Sequence, residues 1–227
     1  MKELLCALCC LITMAAHAQF DNVRKGDVID VNGVKALVFH IDDDGHGKAI
    51  SVKALRGKKN AWCTNAKLLK TMGAMLDPNG KSNTDSIYDY IYSSGLSIVQ
   101  FPAFEWCKNL GPGWYLPSKE DLEMFVNYYL GNEQEFDWDS EEEFDIDTEA
   151  ITPKIINEKL IDAGGVPFLG NALPGSGYTI GVYTSSKTID NKVLMYQYNP
   201  QKNTYCFKKV PVNMMDTYTI GRAFYNF

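Results

Sequence analysis

The chain has 227 residues, with 22 Lys or Arg against 28 Asp or Glu, so its formal net charge is −6 at pH 7 with histidine neutral. A surface of that sign repels polyanions, which argues against nucleic acid as a partner. Hydrophobic residues make up 45% of the chain, enough to build a core without disulfide staples.

The first eighteen residues, MKELLCALCCLITMAAHA, have the pattern of a secretory signal peptide. Lys2 precedes an apolar run, and Ala16 and Ala18 form an A-x-A cleavage site before Gln19. The apolar run is about half of the roughly 20 residues that span a bilayer, and charged residues interrupt every later apolar segment. We therefore expect an exported chain, in the periplasm, on the cell surface or outside the cell, with no transmembrane segment after the signal peptide (1–18).

Six cysteines are divided between this leader and the rest of the chain. The three at positions 6, 9 and 10 leave open a lipoprotein, in which a lipidated cysteine anchors the chain. The mature cysteines Cys63, Cys107 and Cys206 allow at most one internal disulfide, and intervals of 44 and 99 residues between them are not the spacing of a zinc site.

Strand patterns occupy both ends of the mature chain, 19–227, and helical patterns its middle. Residues 19–55 predict a three-stranded antiparallel β-meander, in which Asn32 and Gly33 form a two-residue type I′ turn. The C-terminal part contains four further strand patterns, which are YTIGVYTSS, VLMYQYN, TYCFKKVPV and YTIGRAFYNF. Because there is neither a βαβ repeat nor a linker, we predict a single α+β domain with an antiparallel sheet.

The first two helical patterns cover residues 82–95 and 97–111. SNTDSIYDYIYSSG has apolar residues at i, i+3 and i+4, and Ser82 or Thr84 is the expected cap. The next pattern, SIVQFPAFEWCKNLG, predicts a helix over about residues 101–110. Gly111 stands at the expected C-terminal cap of that helix.

Two more helical patterns follow. Ser118 and Asp121 have the spacing of a capping box and begin a helix with one apolar stripe. The pattern TPKIINEKLIDAGG predicts another helix, capped by Thr152 and ending at Gly164 or Gly165.

Residues 133–149, EQEFDWDSEEEFDIDTE, contain ten carboxylates and no basic residue, so we expect an exposed insertion. Carboxylate oxygens are the ligands that calcium prefers. Asp137, Asp139 and Glu141 are therefore the candidate metal ligands, and calcium is the one cofactor that the sequence leaves open. The same acids are the candidates for a hydrolase.

No catalytic constellation stands out in the sequence. His40 lies in the apolar run ALVFHI and is typical of a strand residue, while His46 in DDDGHGK is typical of a solvated turn. The sequence has no C-x-x-C, H-x-x-x-H or G-x-S-x-G spacing. We therefore expect the chain not to be an enzyme.

The stretch FPAFEWCKNLGPGWYLPSKEDLEMF resembles the signature of secreted bacterial proteins with a C-type-lectin-like domain of the DUF1566 or fibrobacter paralogous-domain kind. GVYTSS is similar to the W-[ST]-S-[ST] strand of that family, and IGRAFYNF to its closing R-x-V-R-x-F strand. GDVIDVNGVKALVF with GHGKAISV resembles the opening hairpin of versions common in gut Bacteroidetes.

The resemblance implies a C-type-lectin-like core over residues 83–227, with two or three helices packed on a looped antiparallel sheet and the N- and C-terminal strands paired. It implies that Trp114, Leu116 and Pro117 are buried framework, that Ser118 caps the second helix, and that Arg222 is a structural residue of the closing strand. The chain lacks the E-P-N, Q-P-D and W-N-D tripeptides of calcium-dependent sugar-binding members. It also lacks the close cysteine pair of the formylglycine-generating relatives.

These observations favour an exported, non-enzymatic binding or adhesion module for a glycan or protein ligand. Loops around residues 56–82, 131–150 and 165–180 are expected to present the recognition surface. The alternatives are a secreted hydrolase that uses the acidic insertion, and a structural subunit of a cell-surface assembly with contacts through an edge strand or the thiol of Cys63 or Cys206.

Overall fold

The computed structural model of the chain describes residues 20, 22–56, 60–140, 142–147, 150–169, 180–213 and 219–227. The predicted signal peptide, Glu141 and most of the 165–180 loop lie outside the described residues. Within the described ranges, no helix is both long enough and apolar enough to cross a membrane.

The described residues form four α-helices and nine strands in a mixed α+β arrangement with two sheets. The helices, α1 to α4, span Gly80–Ser93, Pro102–Leu110, Lys119–Leu130 and Ile151–Asp162. The strands, β1 to β9, span Val28–Val31, Val34–Ile41, Gly47–Ser51, Phe144–Asp145, Ile180–Lys187, Lys192–Asn199, Thr204–Pro211, Thr219–Ile220 and Phe224–Asn226.

The first sheet has the order β1-β2-β3-β9 and is antiparallel throughout. Asn32 and Gly33 connect β1 to β2 with φ values of 53° and 86°, the left-handed region that a type I′ turn requires. The predicted meander is thus confirmed. β9, from the C-terminus, is the fourth strand, and it pairs with β3 in the register Ala49 to Tyr225.

The second sheet has the order β4-β7-β6-β5-β8. Its pairs are antiparallel except that β8 lies parallel to β5, with Gly181 opposite Thr219. The prediction of an entirely antiparallel sheet is wrong at this pair. The predicted single closing strand, YTIGRAFYNF, is also wrong, because β8 joins the second sheet and β9 the first, with Gly221 and Arg222 between them.

Helix boundaries follow local capping chemistry. Ser118 accepts a hydrogen bond from the backbone of Asp121, so the predicted capping box of α3 is confirmed. The cap of α1 is Asn79, whose side chain accepts from two backbone amides, and the Ser82 or Thr84 prediction is wrong. The Thr152 prediction is also wrong, because α4 begins one residue before Thr152 and the structure gives it no side-chain cap.

Strand β2 of the first sheet is buried on both faces. In β2, Ala36 and Val38 point into one apolar core beside α1 and α2, whereas Leu37 and Phe39 point into a second core beside α3. Phe39 meets Phe125 of α3 edge-on at 5.3 Å between ring centroids. This explains why the sequence of β2 is an almost continuous apolar run instead of an alternating one.

The acidic segment is not wholly an exposed insertion, so that prediction is wrong for its apolar residues. Trp138 and Ile146 are 6% and 2% exposed and belong to the second core. Phe144 of β4 pairs with Tyr205 of β7 and stacks on its ring at 5.4 Å between centroids. The carboxylates of the described residues in the segment point outward while the apolar side chains between them anchor it.

Candidate functional site

The corner between α2 and α3 is a packed junction. Trp114 is 3% exposed and lies 5.4 Å from the ring of Tyr225, and Leu116 is fully buried. The carbonyl of Pro117 accepts a hydrogen bond from the amide of Ser185 at 2.6 Å. These contacts tie the corner to strands of both sheets.

Asp121 joins three elements at the start of α3. Its carboxylate accepts from the amides of Gly80 at 3.0 Å and Ser118 at 3.1 Å, and from the ammonium group of Lys48. Asp121 is 1% exposed, so its carboxylate has given up its contacts with water. The three donors supply hydrogen bonds in place of that water. The Ser118 hydroxyl in turn donates to the carbonyl of Pro78 at 2.7 Å.

Arg222 is fully buried between the sheets. Its guanidinium donates to backbone carbonyls on two segments, and these acceptors belong to Ser51, Val52, Val166, Pro167 and Phe168. Burial lowers the pKa of Arg222, but five carbonyl acceptors stabilise the protonated guanidinium. Arg222 therefore fastens the chain after α4 to the end of β3.

The predicted metal ligands do not converge among the described residues. Asp139 is exposed and pairs with Lys209, and Asp137 accepts from the Asp139 amide at 2.8 Å. No group of three or more His, Cys, Asp or Glu side chains in the described ranges is placed to hold a metal. Because Glu141 is outside those ranges, the calcium site stays a prediction.

Cys63 and Cys107 lie in the first core, whereas the two mature histidines lie in β2 and in the turn that follows it. Cys63 and Cys107 are buried thiols, and burial raises the pKa of both, which disfavours the nucleophilic thiolate. The prediction that Cys63 mediates surface contacts is therefore wrong. His46 lies in the exposed β2–β3 turn, 3.8 Å from a carboxylate oxygen of Asp42, whereas His40 lies in β2 beside a groove.

This groove, of about 1220 Å³, runs along α3 and is the candidate binding site. One wall is the face of α3 opposite the second core, and the other is the loop 131–136 that follows the helix. Its principal lining side chains belong to Lys25, Phe39, His40, Lys119, Glu120, Glu123, Met124, Asn127, Tyr128, Glu133, Gln134, Glu135 and Phe136.

The loop wall is held in place by side-chain hydrogen bonds. The Asn127 amide donates to the carbonyl of Gln134 at 3.0 Å and accepts from its backbone N–H at 3.2 Å. The Gln134 side chain accepts from the hydroxyl of Tyr205 at 3.0 Å. Because both loop and helix are fixed, the groove exists before any ligand arrives.

Two glutamates on α3 lie one turn apart in the groove. Burial raises the pKa of Glu123, an effect that a hydrogen bond from the Trp138 indole N–H and the nearby Lys119 charge only partly offset. Glu120 has one oxygen 3.1 Å from the Lys119 ammonium nitrogen. Its other oxygen, Oε2, is buried and has no hydrogen-bond partner in the described structure.

The aromatic rings of the groove are already in contact with protein groups. The Lys25 ammonium lies 4.7 Å from the centre of the Tyr128 ring. Phe136 packs against Phe207 at 4.4 Å, and Phe39 is 1% exposed.

The groove residues Glu120, Glu123 and Met124 were not predicted from the sequence, because only the apolar stripe of α3 has a periodic pattern. A usable signal was present. The face of α3 opposite the stripe carries these two acids and an apolar methionine, and the following acidic segment contains Trp138 at a spacing that allows it to return to the helix.

Comparison with known proteins does not assign the chain to a family. No protein-family model matches the chain, so its resemblance to the DUF1566 and fibrobacter paralogous-domain proteins stays a prediction. No curated protein matches either. A fimbrial protein from Bacteroides ovatus has a similar solved structure, with 17% identity and a TM-score of 0.46 over 81% of this chain. This chain spans 36% of that protein, and a TM-score of this size does not establish a common fold.

Proposed function

We propose that the chain is an exported, non-enzymatic binding module that holds its ligand in the groove along α3. The observation that carries this proposal is the preformed wall, in which Asn127 fixes the backbone of Gln134 from both sides. A rigid groove with buried polar groups suits recognition, because little ordering entropy is lost when a ligand binds.

The finer elements of the proposal rest on sequence. The leader at residues 1–18 supports export to the periplasm, cell surface or medium. The C-type-lectin-like assignment is supported by the WYLPS corner and by the pairing of β9 with β3, since the resemblance implies that the terminal strands pair.

Removal of the hydrogen bonds that hold loop 131–136 against α3 tests the proposal. Asn127→Ala removes both hydrogen bonds to Gln134, so we expect it to weaken binding of any ligand found by screening the exported chain against glycan and peptide arrays. Asn65→Ala is the matched control, because Asn65 also accepts a bond from a backbone amide, that of Lys67, but does not line the groove. Equal binding by the two variants would contradict a role for the groove.

A hydrolase is the second candidate function, and the raised pKa of Glu123 beside Glu120 is the observation that favours it. The acids differ from those predicted, because Asp137 and Asp139 do not line the groove. This alternative predicts that Glu123→Gln abolishes turnover of a groove-bound substrate yet leaves its binding intact. The binding-module proposal predicts no turnover by the unaltered chain.

A further inference from the structure

We infer that the groove along α3 binds a basic peptide segment, with a lysine or arginine side chain of the ligand lying along Met124 and its charge against Glu120. This inference rests on the proposed function and names the ligand class for the same groove. It is based on the charges of the walls, one buried acceptor without a donor, and the arrangement of the apolar side chains.

The charge balance of the groove is negative. Four glutamates line it, against two lysines. The Lys119–Glu120 ion pair balances one charge of each sign, and Lys25 lies over the Tyr128 ring, so the glutamates still outnumber the lysines. Glu133 and Glu135 are exposed on the loop wall and form no ion pair with a described residue. A cationic ligand is therefore complementary to the walls and an anionic ligand is repelled.

Glu120 supplies a specific acceptor for that cation. Its Oε2 is buried without a partner in the described structure, although a buried carboxylate oxygen normally accepts a hydrogen bond. The Glu120 side chain as a whole is 35% exposed, so a rotation about its last bond would turn this oxygen to the groove, where a ligand ammonium or guanidinium N–H would donate to it. The contact would be charge-assisted, which makes it stronger than a neutral hydrogen bond.

Apolar surface lies beside the acids. Met124 is 36% exposed one turn along α3 from Glu120. A methionine thioether adapts to irregular aliphatic surfaces, and lysine and arginine bury their methylene stems along apolar surface while the charged group stays with polar partners. Acids beside an exposed methionine therefore suit a long basic side chain.

The same groove is poorly suited to a sugar. Tyr128 and Phe136 are the half-buried aromatic residues in the groove, and each ring already has a protein contact, with the Lys25 ammonium and with Phe207 respectively. The Asn127 amide is already bonded to Gln134 as both donor and acceptor. A sugar that stacks on these rings or bonds to this amide would have to compete with the existing contacts, whereas a basic side chain meets exposed acids, so the peptide is favoured over the glycan.

The test is fluorescence anisotropy on the exported chain with a labelled short peptide of lysine, alanine and leucine. The counter-probe is the same peptide with glutamate in place of lysine, and an oligosaccharide array is the third arm. Glu120→Gln and the double variant Glu133→Gln/Glu135→Gln remove groove charges. Asp89→Asn/Glu158→Gln removes two exposed acids that do not line the groove, and thus controls for net charge.

We expect the lysine peptide to bind, with about tenfold weaker binding by the groove variants and a change within about twofold for the control. Equal losses in groove and control variants would overturn the inference, because they indicate attraction to net charge. Groove-dependent binding of an oligosaccharide or the glutamate peptide, without the lysine peptide, would overturn it but leave the proposed function standing. No binding in any arm would overturn both.

Discussion

The indole N–H of Trp138 donates a hydrogen bond to the carboxylate of Glu123, which joins the acidic segment to α3. Trp138 is 6% exposed and also packs on Phe207 at 4.1 Å between ring centroids. Trp138 thus reaches the second core, as Ile146 does, and the loop between Trp138 and the helix forms a wall of the groove. The position of the loop follows from this contact together with the hydrogen bonds of Gln134 to Asn127 and Tyr205, and not from its carboxylates.

Glu123→Gln should make stability less sensitive to pH. Burial raises the pKa of Glu123 in the folded state above its unfolded value, so its favourable contribution is present at low pH and is lost as pH rises through the folded pKa. The variant should therefore gain stability relative to the unaltered chain as the pH rises above the ordinary carboxyl pKa of 4.5, as measured by urea unfolding. Glu158→Gln on α4 is the control, and a relative loss for Glu123→Gln over that range would refute the assignment.

Arg222→Lys should destabilise the fold by about 2–4 kcal/mol. A lysine has three N–H donors at one nitrogen and cannot serve carbonyls of both Val52 and Phe168, so buried acceptors lose their partners. Urea denaturation measures the loss. Arg24→Lys, at an exposed position, should shift stability by no more than about 0.5 kcal/mol, and a similar shift in the two variants would contradict the role of Arg222.

Trp114→Ala should cost about 3–5 kcal/mol, as expected for a large aromatic removed from a packed site. The indole lies against Tyr225 and is nearly excluded from solvent. Tyr92→Ala is the comparison, since Tyr92 is 90% exposed and its loss should be within about 0.5 kcal/mol of zero. Thermal and urea unfolding of both variants would measure the difference, and a small effect of Trp114→Ala would show that the corner does not support the fold.

Gly80→Ala should destabilise, although alanine ordinarily favours a helix by about 0.5–1 kcal/mol over glycine. A Cβ at Gly80 would lie 2.4 Å from the amide nitrogen of Ser118 and 2.5 Å from a carboxylate oxygen of Asp121, which forces the α1–α3 junction apart. We expect a loss of about 1–3 kcal/mol in unfolding free energy. Gly73→Ala meets no atom within 4 Å and should be near neutral, so equal costs would exclude the steric explanation.

Features encoded in a few consecutive residues could be predicted from the sequence. The Asn32-Gly33 turn and the Ser118–Asp121 capping box depend on local backbone geometry and side-chain chemistry, and both are confirmed. The parallel pairing of β8 with β5 could not be predicted, because it depends on contacts between segments distant in sequence. The role of Trp138 could not be predicted either, because the acidic run is strongly charged on average and its one tryptophan contacts a distant strand. The groove depends on the contact between Trp138 and Glu123 on the polar face of α3.

Methionine methyl NMR during titration with the lysine, alanine and leucine peptide tests the central claim most directly. Met124 lies in the groove and is 36% exposed, whereas Met195 is fully buried in the other core. The account predicts that the Met124 methyl resonance shifts in proportion to peptide bound while that of Met195 stays in place. Saturation of the protein by the peptide with the Met124 resonance unchanged would contradict it.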